Sequence, residues 1–96
     1  MPETISETLD VLDKQLKAFK EIRNQLIELF DGHEMLSEID RDFRIVFRAI
    51  DLIYEKSSEH DLNAPSIILL DSMSLYTQAV LVLTSKIKDN GLIIDF

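Results

Sequence analysis

The sequence predicts an all-α fold, three long helices per chain that share helices with a second copy as an intertwined homodimer. Three observations carry that expectation. Apolar residues recur at alternating intervals of three and four along most of the chain. Only two glycines and two prolines interrupt its 96 residues, and they fall at the joints between the periodic stretches. The first stretch is also too long for a compact domain. A helix of ~27 residues spans about 40 Å, whereas a globule of this size is roughly 32 Å across.

The first helix is expected from about Thr4 to Asp31. Ile5, Leu9, Leu12, Leu16, Phe19, Leu26 and Phe30 form a heptad seam, and Arg23 fills its one missing slot. Glu3, Glu7, Asp10 and Asp13 precede Lys14, Lys17 and Lys20, an order that suits the helix dipole. Gly32 follows as a C-terminal stop. The second helix is expected to start near Ser37, with Ser37 and Asp40 resembling a capping box, and to run to about Ser57. Leu36, Ile39, Phe43, Val46, Ile50 and Ile53 keep the same spacing. Lys56-Ser57-Ser58-Glu59-His60-Asp61 reads as a polar linker. Asn63 is the expected N-cap of the third helix, with Pro65 in its first turn and Gly91 beyond its end. Leu69, Met73, Tyr76, Val80, Leu83 and Ile87 form one seam there, and Ile68, Leu75, Ala79 and Val82 a second. Asp71 is the one charged residue between Asn63 and Ser85. A helix apolar nearly all round is a buried helix, and three helices hardly supply enough neighbours for it.

Residues 1–96 read as a single domain, with 46% hydrophobic and 29% charged residues, the composition of a foldable chain. Eighteen acidic against ten basic residues give a net charge of −8. Nucleic-acid affinity rests on Lys and Arg, so no nucleic-acid partner is expected. A basic helix on a membrane surface is disfavoured for the same reason. The absence of cysteine excludes disulfides, thiolate zinc sites and cysteine nucleophiles. Two histidines cannot build a metal site without carboxylates, and neither a metal nor a cofactor is expected. The opening Met1-Pro2-Glu3-Thr4 does not read as a signal peptide. The longest unbroken apolar run, Ala79 to Leu83, is too short to span a bilayer. A cytoplasmic protein with no membrane association is the resulting expectation.

Several polar residues stand where apolar ones belong. Arg23 either pairs with an acid at the seam's edge or binds an anion. Arg41, Arg44 and Arg48 share one side of the second helix, where Glu38 and Asp40 are available partners. Ser74 and Gln78 lie one turn apart in the apolar third helix. Buried hydroxyl and amide groups need partners, so a polar ligand is an alternative to back-bonding and a rim position. His33 and His60 read as solvated loop histidines, and the tail Leu92-Ile93-Ile94-Asp95-Phe96 is expected to pack on the bundle.

In order, these residues resemble the all-helical (AroQ) class of chorismate mutases, and the resemblance covers nearly the whole chain. Leu12-Asp13-Lys14-Gln15-Leu16 with Phe19 and Arg23 resembles that family's first-helix motif. Glu38-Ile39-Asp40-Arg41-Asp42 resembles the opening of its second helix, and Glu59-His60-Asp61-Leu62-Asn63 its linker. Ser74-Leu75-Tyr76-Thr77-Gln78 resembles the Ser and Gln pair of its third.

The resemblance implies an intertwined dimer and a pericyclic rearrangement of a small dicarboxylate, chorismate to prephenate, or the related isochorismate-pyruvate lyase reaction. Such a site holds a compact conformer and places cations and donors where negative charge grows. Carried over by position, Arg23, Gln78 and Asp42 would be the catalytic residues. Arg23 would grip a carboxylate, Gln78 would face the ether oxygen, and Asp42 with Glu38 would face the hydroxyl. Arg41, Ser74 and Arg48 would complete the substrate-binding set. Two cations of the family pattern are replaced here, at Ser6 and near Glu34. The mutase activity is therefore expected to be weak unless Lys17, Lys20 or Arg48 substitutes. The alternatives are an enzyme for a less anionic substrate, or a non-catalytic helical dimer that binds or regulates a partner protein.

Overall fold

The structure, a computed structural model, describes residues 2–92. Its elements are α1 (Ile5–Leu29), α2 (Leu36–Ser57), a 3-10 turn (Ser66–Leu69) and α3 (Leu70–Asp89), which continues from that turn. The fold is all-α, and each helix lies within a few residues of its expected span, except that the third begins as 3-10.

The second helix is the central element, packed against α1 and, more extensively, against α3. Its stripe of Ile39, Phe43, Val46, Ile50 and Ile53 is buried between them. From α1 come Ile5, Leu12 and Leu26, and from the third segment Leu69, Tyr76, Leu83 and Ile87. Full burial of such aliphatic side chains is worth about 1.5–3 kcal/mol each. These are the seam positions of the periodic pattern, which is why the helices turn these faces inward.

The molecule is a rod with extents of 45 × 21 × 19 Å. The length argument for helix exchange assumed a compact globule. The elongated domain instead accommodates α1 along its own axis, and Ile5 and Leu26, near its two ends, are buried within the chain. Length alone therefore does not demand a partner for α1.

The joints differ from expectation in instructive ways. Thr4 caps α1, its Oγ1 accepting from the Glu7 N–H at 3.3 Å. The neighbouring free amides are satisfied from far along the chain. Ile5 N–H donates to the Ala64 carbonyl at 3.0 Å and Ser6 N–H to that of Leu62 at 3.1 Å. Ser66 N–H donates back to the Glu3 carbonyl at 2.7 Å. The connection before α3 is thus a brace on the start of α1. Asn63 does not cap α3; its own N–H donates to Asp61 Oδ1 at 2.9 Å, an Asx turn, and the helical path begins after Pro65.

No capping box opens α2. The helix begins one residue earlier, at Leu36, and Asp40 is occupied by arginines. His33 is half-buried rather than solvated, because its Nδ1 accepts the Met35 N–H at 3.1 Å and closes the turn between α1 and α2. His60 is exposed. Gly32 and Gly91 adopt φ of 83° and 69°, the left-handed conformation that stops a helix. Leu92 is buried after that turn, its N–H donating to the Ile87 carbonyl at 3.0 Å. The rest of the expected packing tail, 93–96, lies outside the described residues.

Candidate functional site

Two charge clusters flank α2. On one side, Arg23 of α1 reaches across to Asp40, Nε to Oδ1 at 2.5 Å, and Arg44 takes the other oxygen at 3.1 Å. The seam arginine thus pairs with an acid on the next helix, its side chain about one-third exposed. On the other side, Lys86 Nζ of α3 lies 2.9 Å from Asp42 Oδ2 and 3.3 Å from Glu38 Oε1. Arg41 is exposed and only 4.0 Å from the same Glu38 oxygen, a loose pair. The Asp42 oxygen is enclosed, and the Lys86 ammonium is the charged group that faces it. The Asp42 carboxylate raises the Lys86 pKa above the ordinary lysine value, partial burial opposes it, and Glu38 adds to it.

Positions 38 and 42 lie one turn apart, whereas position 40 lies about 200° around the helix from each. That rotation turns Asp40 toward α1, and Glu38 and Asp42 toward α3. Of the sequence-predicted residues, Glu38 and Arg41 share an open recess with Ser37, Asp40 and Arg44, about 580 Å³ in volume. Asp42 and Gln78 share a smaller one between α2 and α3, about 190 Å³, with Ile45, Leu75 and Val82 on its walls. Arg23 belongs to neither recess. Ser74 and Gln78 are exposed on the outer face of α3, not buried as expected. Arg48 is exposed and makes no ion pair among the described residues.

Two features escaped the sequence. Lys86 is the hub of the second cluster, but a lysine in a helix's last turn looks like an ordinary dipole partner. Tyr76 is buried and its hydroxyl hydrogen-bonds Gln15 Oε1 of α1; burial raises its pKa. This pair lies at a groove of about 380 Å³ between α1 and α3, where Phe19, Ile22, Val80 and Leu81 form apolar walls. Only the apolar half of that contact has a periodic signature.

The outer side of α3 is largely uncharged and open. Leu70 is 62% exposed and Leu81 60%, with Leu75 and Val82 beside them and Ile67 and Ile68 just before the helix. The expectation that no stretch could cross a bilayer rested on unbroken apolar runs. Taken as an average, an 18-residue window within Ser66–Asp89 is long and apolar enough, with a mean hydropathy of 1.6. Its inner side packs on α2. Among the described residues no cluster of three or more metal-ligating side chains is present. No family model matches the sequence, and no curated protein or solved structure matches it either.

Proposed function

We propose that the protein is a non-catalytic helical homodimer that binds or regulates a partner protein, its two copies meeting through the outer side of α3. The observation that carries this reading is the exposure of Leu70, Leu75, Leu81 and Val82 on one side of a helix whose other side is packed. Contiguous apolar surface on a soluble domain marks an interaction site. The charge clusters point the same way. Arg23, Arg41, Arg44 and Lys86 already share Glu38, Asp40 and Asp42, so a dicarboxylate would have to displace an acid from any of these four that it used.

A second reading keeps the chorismate-type pericyclic enzyme. It is favoured by Ser74 and Gln78 lying one turn apart on the open face, where a second chain would enclose them, and by Asp42 sharing a recess with Gln78. One preparation tests both. Sedimentation equilibrium is expected to give twice the chain mass at micromolar concentration, and an assay of chorismate consumption is expected to show none. A monomer at hundreds of micromolar refutes the first reading. Turnover at about 1–10³ s⁻¹, the ordinary enzyme range, establishes the second in its place.

A further inference from the structure

We infer that the two copies pair through α3 laid antiparallel on α3, in a register that sets Asp71 of each chain opposite Lys88 of the partner subunit. This rests on the dimer reading above and says how the dimer is built. On the outer side of α3, Asp71, Ser74, Gln78, Leu81, Ser85 and Lys88 recur at intervals of three and four, and all six are exposed. These six share one face at heptad spacing, with Leu81 its apolar member, pointing away from the inner seam of Tyr76, Leu83 and Ile87. Leu75 and Val82 flank it on one side and Leu70 on the other, each with its side chain open to a partner.

Charge selects both the occupant and the direction. The seam has one acid at its start, one base at its end and no charge between them. Parallel pairing would set Asp71 against Asp71 and Lys88 against Lys88. Antiparallel pairing makes the opposite-charge contact twice, because in a two-fold interface each contact occurs with its mirror. It also opposes the two helix dipoles. The face is therefore complementary to itself, and a second copy fits it. The chain's charge of −8 is carried mainly elsewhere, so this is also the side on which two copies repel least.

The same register explains the polar residues. With position 71 opposite 88, position 74 falls opposite 85 and position 78 opposite 81. Serine meets serine at both outer layers, and small side chains let the helices approach closely. Each Gln78 packs on a Leu81 and lies within one turn of the other Gln78, so the two amides can hydrogen-bond each other across the two-fold axis. A buried polar pair of this kind fixes the register of a helical interface at some cost in stability. Asp89 falls opposite Leu70, at the end of the overlap where water reaches it.

The chain has no cysteine, so introduced thiols report the register directly. On one helix positions 74 and 85 are about 16 Å apart, which no disulfide spans. The full chain carrying S74C and S85C together is expected to oxidise to a covalent dimer on a non-reducing gel. Each single variant is expected to stay uncrosslinked. Self-crosslinking by either single variant, or no crosslinking in a protein that sediments as a dimer, overturns the register and leaves the dimer standing. A monomer in sedimentation overturns both, as does flotation of a monomer with phosphatidylcholine vesicles. An independent arm uses charge. D71K alone or K88E alone is expected to weaken the dimer about three- to tenfold, from two exposed ion pairs lost per dimer. D71K and K88E combined are expected to bring it back to within about twofold. Absence of that recovery overturns the pairing.

Discussion

About half the residues of α2 are apolar, and so are about half of those of α3, yet six of these are buried in α2 and four in α3. The difference lies in the other half. In α2 the remaining positions are mostly charged, so the apolar stripe is narrow and all of it but Ile45 is buried or half-buried. In α3 they are mostly Ser, Thr and Gln interspersed with Leu and Val, and the apolar surface runs right around the helix. One chain offers α3 a single large neighbour, α2. What decides burial is the angular distribution of apolar residues set against the number of available neighbours, and the surplus on α3 is what a second copy would cover.

The sharpest way to break that contrast is to truncate one side chain in each helix. Phe43→Ala removes a ring that is 1% exposed, and a loss of about 3–5 kcal/mol in unfolding free energy is expected from urea titration. Leu81→Ser on α3 should change the same quantity by less than ~0.5 kcal/mol when measured in dilute solution, while weakening self-association. Comparable losses in the two would mean that the outer side of α3 is already packed within the chain.

The end of α3 gives a smaller effect. Gly91→Ala forces a side chain into a left-handed conformation, at about 1–2 kcal/mol. Nothing lies within 4 Å of the added methyl, so this cost is strain without a clash. A change below ~0.3 kcal/mol in thermal unfolding would show that the turn relaxes instead.

The link between the two helices is asymmetric. Lys86→Met leaves Asp42, whose side chain is 8% exposed, without its cation, with Glu38 nearby. Asp42→Asn leaves Lys86 with Glu38 and water. Lys86→Met should therefore lower the unfolding midpoint more than Asp42→Asn does. The reverse order would place the strength of the link in Glu38.

The smallest effect is a pH dependence. Asp42 raises the Lys86 pKa and burial raises that of Tyr76. Each group holds its proton more tightly folded than unfolded. Their contribution is therefore complete below the unfolded values, near pH 10 for both residue types, and is lost as pH climbs through the folded ones. Unfolding midpoints recorded from pH 8 to pH 11 should fall only at the alkaline end, and less steeply in Lys86→Met.

Much of the fold was legible in the chain. Alternating intervals of three and four placed Ile5, Leu12, Leu26, Phe43 and Ile50 in the core, because a helix returns those positions to one face whatever else surrounds it. Gly32 and Gly91 stopped helices, because only glycine adopts their φ at no steric cost. Arg41 and Arg44 found partners one turn away on their own helix, which spacing alone can foresee. These are local relations, settled within about a turn of backbone.

Only the tertiary structure decided the rest. That Arg23 meets Asp40, Lys86 meets Asp42, Tyr76 meets Gln15 and the connection at Leu62 to Ser66 braces the start of α1 depends on how one helix is rotated and slid against another. That placement is set by the summed packing of many side chains, and no residue states it individually. The same holds for the separation of the Arg23 cluster from Gln78. The sequence marked both as polar residues in apolar seams, but which neighbour each met was fixed only when α1 and α3 settled against α2.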